Sequence, residues 1–142
     1  EFSDLTFSTS TSPLRRNTYQ PLSDIEALNY LIANEDLRNE YGSNINEAKD
    51  HYDNYGFSEN RVIDNFDELS YVAIHKDLMN AYGSNVSDLE INGLNHYLNY
   101  GINENRRTRA DMSAYINDNG LNDVFLEDPD LVKRQYISDF LN

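Results

Sequence analysis

The chain has 142 residues and a net charge of −14, from 25 acidic and 11 basic side chains. Such a surface repels phosphate backbones and anionic lipids, so nucleic acid is not expected as a partner. The chain has no cysteine, which excludes disulfides and thiolate zinc sites, and no apolar run reaches membrane-spanning length, so membrane insertion is not expected either.

Residues 1–23 are rich in serine and threonine and include two prolines. This composition predicts an extended or flexible lead-in that lies outside the core. An arm that becomes ordered on a partner is a second interpretation of the same composition.

An internal repeat follows the lead-in. The stretch ALNYLIANEDLRNEYGSNI (27–45) aligns with ELSYVAIHKDLMNAYGSNV (68–86), and a phrase H-Y-x-N-Y-G recurs at residues 51–56 and 96–101. Eight of the eleven tyrosines fall into four matched pairs in this alignment. The alignment predicts repeat 1 over residues 24–65 and repeat 2 over residues 66–109.

The spacing of apolar residues within each repeat predicts helices. Tyr30, Ala33, Leu37 and Tyr41 follow one another at intervals of three and four residues. Each repeat is therefore expected to hold two helical stretches joined at Y-G-S-N, with a break near Asn34. Asp24, Asn44, Asp67 and Asn85 are predicted N-caps. Four glycines are predicted to hold the turns as left-handed residues that end helices, namely Gly42, Gly56, Gly83 and Gly101.

Residues 110–142 are predicted to form a degenerate third repeat and a final helix that caps the stack. Asp128 is the expected N-cap of that helix, with Pro129 at its first position. The predicted fold class is all-α, with short tandem helix-turn-helix repeats stacked as a small solenoid-like domain.

The pattern resembles a short tandem repeat of bacterial proteins that ends H-Y-x-x-x-G-x-x-E-G-R and continues into Phe-Asp. The ending H-Y-D-N-Y-G-F-S-E-N-R matches over residues 51–61, and Phe66-Asp67 follows. Asn60 and Asn105 replace the usual glycine of the ending, and no Phe-Asp follows Arg106. The resemblance covers residues 25–106. It implies a place in large secreted or cell-surface proteins or beside glycosyltransferase domains, and it implies no activity of the repeat itself.

His51 and His96 could be metal ligands or general bases, but the recurring phrase supplies only one histidine to each repeat, with no carboxylate at the spacing of a metal ligand. We interpret them as half-buried packing residues on the tyrosine face. The predicted packing residues are Tyr30, Leu37, Tyr41, His51 and Tyr52 in repeat 1, with Tyr71, Leu78, Tyr82, His96 and Tyr97 in repeat 2.

Tyr55 and Tyr100 stand next to the glycine turns, and we expect them to be partly exposed and able to contact a glycan or a partner. Arg61 and Arg106 could bind an anionic ligand, although a structural ion pair is the interpretation we favour.

Residues 117–128 are rich in side chains with oxygen atoms that could bind calcium, but these side chains do not have the spacing of a calcium-binding loop. No catalytic, metal or cofactor motif is found, so neither an enzyme nor a cofactor is predicted.

The sequence therefore predicts a non-enzymatic structural or protein-interaction module of a secreted or cell-surface assembly. Its expected partners are protein subunits of that assembly. Two alternatives remain open, a carbohydrate-binding accessory module whose partner is polysaccharide, and a small accessory subunit of a large complex.

Overall fold

Nine α-helices and four short strands are formed by residues 5–142, the part of the chain that the computed structural model describes. The strands are β1 (Thr6–Ser8), β2 (Ser10–Leu14), β3 (Asp64–Phe66) and β4 (Arg109–Asp111). The helices are α1 (Asp24–Ala33), α2 (Glu35–Tyr41), α3 (Ile45–His51), α4 (Glu68–Ala73), α5 (Lys76–Tyr82), α6 (Leu89–His96), α7 (Ser113–Asp118), α8 (Asn122–Glu127) and α9 (Pro129–Leu141).

The prediction of an all-α fold is wrong, because the mostly helical structure also contains two small antiparallel sheets. Strand β1 pairs with β4, where Thr6 lies opposite Asp111, and β2 pairs with β3, where Ser10 lies opposite Phe66. The strands are too short to show an alternation of apolar and polar residues. Strands β1 and β2 lie within the lead-in predicted over residues 1–23, where threonine favours extended backbone.

The described chain divides into two compact units. Unit I comprises Ser10–Phe66 and Leu94–Arg106. Unit II comprises residues 5–9, Asp67–Gly93 and Arg107–Asn142. Each unit therefore contains one of the two sheets and the turn Y-G-S-N of one repeat.

Helices α1 and α3 of unit I begin at side-chain caps. The cap predicted at Asp24 is wrong by one residue: the hydroxyl of Ser23 accepts a hydrogen bond from the amide of Glu26 at 3.2 Å, and Glu26 returns one from the Ser23 amide at 2.9 Å. This reciprocal pair is a capping box, which satisfies two donors at once. The cap at Asn44 is confirmed by a bond from the Glu47 amide at 3.1 Å.

The predicted break near Asn34 is confirmed, because α1 ends at Ala33 and α2 begins at Glu35. The side-chain amide of Asn34 donates to the carbonyls of Tyr30 and Val62, both at 2.8 Å. These bonds satisfy carbonyls at the break and connect it to the segment before β3. The core of unit I is formed by Leu22, Ala27, Tyr30, Leu31, Leu37, Ala48, Tyr52 and Ile63.

In unit II the predicted cap at Asp67 is confirmed by a bond from the Ser70 amide at 3.0 Å. The cap predicted at Asn85 is wrong, because its side chain accepts no capping hydrogen bond from the helical turn that follows it. Helix α9 begins at Pro129 as predicted, and Asp128 accepts from the Leu131 amide at 3.2 Å. Phe7 of β1 is buried, with its ring stacked on Phe125 at 6.0 Å between centroids. Further buried residues of unit II are Leu69, Tyr71, Val72, Leu78, Met79, Leu89, Ile116, Val132 and Ile137.

Candidate functional site

Both copies of H-Y-x-N-Y-G widen from an α-helix into a π-helical turn. The turns are Tyr52–Gly56, after α3, and Tyr97–Gly101, after α6. The amide of Phe57 donates to the carbonyl of Tyr52 at 3.0 Å, and Ile102 does the same to Tyr97 at 3.0 Å. Short π-helical turns are found frequently at functional sites, so these two turns are the candidate site.

The chain leaves each π-helical turn through an asparagine in the left-handed region. Asn60 has a φ of 56° and Asn105 a φ of 53°. Asparagine is one of the few side chains that tolerate this region, which glycine adopts at no steric cost. In the repeat that this chain resembles, glycine stands at the positions of Asn60 and Asn105. The positive φ at these positions explains why asparagine can replace glycine there.

The predicted turn glycines serve two different physical needs. Gly42 ends α2 with a φ of 62° and a ψ of −122°, so it has the positive φ that was predicted but not the ψ of a left-handed helical residue. The prediction is wrong for Gly83, whose φ is −63°, and for Gly56 and Gly101, which lie within the π-helical turns outside the left-handed region. A Cβ at Gly56 would lie 1.9 Å from the hydroxyl oxygen of Tyr30. Gly56 therefore permits the close approach of a buried tyrosine, and Gly101 occupies the matching position.

The outer face of each π-helical turn presents a tyrosine. Tyr55 and Tyr100 are both 58% exposed. The ring of Tyr55 lies 5.5 Å from the ring of His51, and the ring of Tyr100 lies 5.4 Å from that of His96, with an interplanar angle of 46° in both pairs. Two exposed aromatic rings thus have the same support in the two copies.

His51 connects the exposed tyrosine to the core of unit I. Its Nδ1 lies 2.8 Å from the hydroxyl of Tyr30, and its ring also contacts Tyr41. Burial, followed by the nearby Arg61 guanidinium, lowers the pKa of His51 below its ordinary 6.5. Burial raises the pKa of Tyr30. The Tyr30 hydroxyl and Nδ1 of His51 share one hydrogen bond, which fixes the orientation of the histidine ring.

Arg61 is held by acidic side chains of its own unit. Its guanidinium donates to both carboxylate oxygens of Asp36, at 2.8 and 2.9 Å, and to Glu59 at 2.7 Å. The hydrogen bond from Arg61 lowers the pKa of Asp36. In the second copy Arg106 donates to Glu104 at 2.7 Å. These bonds occupy the donors that an anionic ligand would need at Arg61.

The remaining residues predicted to pack the repeats lie at different depths. Buried members are Tyr30, Leu37, Tyr52, Tyr71 and Leu78, and half-buried members are Tyr41, His51, Tyr82, His96 and Tyr97. The residues of the buried group that belong to unit I, Tyr30, Leu37 and Tyr52, form part of its core. The exposed Tyr55 thus shares its turn with the buried Tyr52, and the exposed Tyr100 shares its turn with the half-buried Tyr97.

A cleft borders the turn Y-G-S-N in each unit, and the sequence did not reveal either one. In unit I a cleft of about 220 Å³ contains Gly42 and residues that follow the second π-helical turn. In unit II a cleft of about 390 Å³ contains Gly83 and residues of α9. Side chains distant in sequence meet in both clefts, so neither leaves a local motif.

Among residues 5–142, no group of three or more histidine, aspartate or glutamate side chains is arranged to hold a metal ion. None of the helices in this part of the chain is both long and apolar enough to cross a membrane. Comparison of the chain with protein-family models, with curated proteins and with solved structures finds no match.

Proposed function

We propose that this chain is a non-enzymatic repeat module that binds protein subunits of a secreted or cell-surface assembly through Tyr55 and Tyr100. The observation that carries the proposal is the matching presentation of these two tyrosines, each 58% exposed and each packed on a histidine ring at an interplanar angle of 46°. Single exposed apolar residues need no explanation, but a matched pair in two copies of one turn does.

The support beneath each ring suits a contact residue. Tyrosine has few rotatable bonds, and it is enriched among residues that dominate binding energy at protein interfaces. The His51 ring is itself held by the hydroxyl of Tyr30 at 2.8 Å, so Tyr55 rests on an ordered base. A side chain that is ordered before binding loses little entropy when the partner arrives.

The surrounding charge favours a protein partner with basic residues near its contact surface. The chain carries a net charge of −14. Acidic side chains next to the turn include Asp53 and Glu59 on the first copy and Glu104 on the second, all exposed. Opposite charge on the partner would speed association and favour the correct orientation. The location at a cell surface or in a secreted assembly rests on the resemblance described above.

A photo-crosslinking amino acid placed at Tyr55 or Tyr100 tests this proposal in an extract of the source organism. Crosslinked material would be identified by mass spectrometry, with the same group at Leu131, which is 52% exposed in α9, as the matched control. We expect one set of protein partners from positions 55 and 100 that Leu131 does not capture. Tyr55→Ala with Tyr100→Ala should release those partners without unfolding the chain. The same proteins captured from all three positions, or none, would contradict the proposal.

A further inference from the structure

We propose that the cleft of unit I is a binding site for a neutral saccharide. The cleft lies where α2 faces the residues of the second π-helical turn and those just after it, and its volume is about 220 Å³. Arg38 and Asn39 line one side, and Leu98, Asn99, Ile102 and Asn103 line the other. All of these residues belong to unit I.

The polar groups in the cleft combine hydrogen-bond donors and acceptors that are not used elsewhere. Asn39 and Asn103 are exposed, and their side-chain amides have no hydrogen-bond partner within residues 5–142. Asn99 donates from Nδ2 to the Asn95 carbonyl at 2.9 Å, which leaves its Oδ1 free to accept. An amide offers one acceptor and two donors at a fixed separation, the combination that neighbouring sugar hydroxyls require.

Arg38 gives the cleft a donor of fixed position. One of its terminal nitrogens donates to the Ile32 carbonyl at 2.8 Å, at the C-terminal end of α1. A guanidinium has five N–H donors in a rigid plane, so this single bond orients the group and leaves others for a ligand. Arg38 therefore acts in the cleft as an anchored hydrogen-bond donor.

The apolar part of the cleft suits the C–H face of a sugar ring. Leu98 and Ile102 are both half-buried, and Leu98 packs against the core of unit I. Small-molecule sites are usually lined by apolar side chains together with a few polar groups that point towards the ligand. No aromatic ring lines this cleft. Binding should consequently be weak, with a Kd on the order of 1 mM.

Arg38 is the only charged side chain among the residues that line the cleft, within a chain whose net charge is −14. No carboxylate lines it, although the chain has 25 acidic side chains. Neutral hydroxyls can therefore approach the amides without displacing an ion pair. Acidic saccharides meet the long-range repulsion of a chain with a net charge of −14. Neither Tyr55 nor Tyr100 lines the cleft, although Tyr100 follows Asn99 in the same turn, and either proposal can fail without the other.

Titration of the isotope-labelled whole chain with neutral hexose oligosaccharides of two to six units tests the site. The observable is the chemical shift of the asparagine side-chain amides. We expect saturable shifts at Asn39 and Asn103, and at least a tenfold loss of affinity in the variant N39A/N103A. The control is N80A, since Asn80 is the exposed counterpart of Asn39 in the second repeat and does not line the cleft.

Three results would overturn the inference. Asn39 and Asn103 could show no saturable shift with any oligosaccharide of the series. N80A could lose as much affinity as N39A/N103A. Binding could be abolished by Y55A/Y100A and unchanged in N39A/N103A, which would place the saccharide on the exposed tyrosines instead.

Discussion

The hydroxyl oxygen of Tyr30 lies 2.8 Å from Nδ1 of His51 and occupies the space that a Cβ at residue 56 would require. The Tyr30 hydroxyl thus fixes the orientation of the His51 ring and requires a residue without a Cβ at position 56. Because Tyr55 rests on that histidine, the exposed surface of the turn depends on the same contact.

Replacement of Gly56 by alanine should destabilise the protein. The new Cβ would lie 1.9 Å from the Tyr30 hydroxyl oxygen and 2.9 Å from its Cζ. We expect a loss of about 3 kcal/mol in the free energy of unfolding, measured in urea. Tyr30→Phe in the same chain should restore part of the loss, since it removes the nearest atom but leaves the ring.

The control is Gly42→Ala. Its Cβ would meet nothing within 4 Å, so only the backbone conformation, φ 62° with ψ −122°, opposes the substitution. We expect a cost of about 2 kcal/mol there. Equal effects of the two substitutions would show that the contact with Tyr30 is not what requires glycine at residue 56.

The pKa of His51 predicts how stability changes with pH. It is lowered below 6.5 in the folded chain, mainly by burial, so the unfolded chain binds this proton at a higher pH than the folded chain does. The stabilisation that His51 provides is therefore complete above pH 6.5 and is lost as the pH falls from 6.5 towards the folded value. We expect the difference in unfolding free energy between the native chain and His51→Gln to shrink between pH 7.5 and pH 5.5. A difference that grows on acidification would contradict this assignment.

An ion pair connects α9 to the cap of α4 in unit II. Lys133 is buried and pairs with Asp67, which also accepts from the amide and the hydroxyl of Ser70, both at 3.0 Å. Lys133→Met should lower the free energy of unfolding by about 3 kcal/mol, because the carboxylate of Asp67 would remain buried without its cation.

Arg134 provides the matched control one residue later in α9. It faces Glu90 at 3.3 Å, and both side chains are about one third exposed. Arg134→Met should cost about 0.5 kcal/mol, since exposed pairs contribute little. If both substitutions had the same effect in urea unfolding, burial would not be what makes the Lys133 pair important.

A buried amide in α1 offers a stabilising substitution. Asn29 is buried, and its Oδ1 has no hydrogen-bond partner, while Nδ2 donates to the Ile25 carbonyl at 3.3 Å. Asn29→Leu should raise the free energy of unfolding by about 1 kcal/mol, because a buried acceptor without a partner is unfavourable.

Ser70 is the residue of repeat 2 that corresponds to Asn29, and its replacement should change the free energy of unfolding in the opposite direction. Ser70 is also buried, but its hydroxyl donates to Asp67 at 3.0 Å. Ser70→Ala should therefore lower stability by about 1 kcal/mol. Thermal melts of the two variants would check both signs, and a destabilised Asn29→Leu would mean that packing around this site resists leucine.

Local features of the sequence predicted most of the helical structure. The break at Asn34, the caps at Asn44, Asp67 and Asp128, and the start of α9 at Pro129 all follow from side chains within four residues of the position concerned. Helix caps and helix breaks depend on interactions between residues that are close in sequence, so they can be predicted from the sequence. The cap of α1 was misplaced by one residue because Ser23 and Asp24 are both good caps, and the reciprocal bond with Glu26 favours Ser23.

The sheets and the clefts were decided by tertiary structure alone. Thr6 pairs with Asp111 and Ser10 with Phe66, across more than fifty residues of chain in each case. Strands this short bury too few side chains to show an alternation of apolar and polar residues in the sequence. Their pairing therefore depends on which segments the helices bring together. The cleft that joins Asn39 to Asn103 arises in the same way. The sequence alone determined the helices, their ends and the repeated tyrosine turn through contacts between near neighbours, whereas strand pairing and the clefts depend on distant residues that meet only in the folded chain.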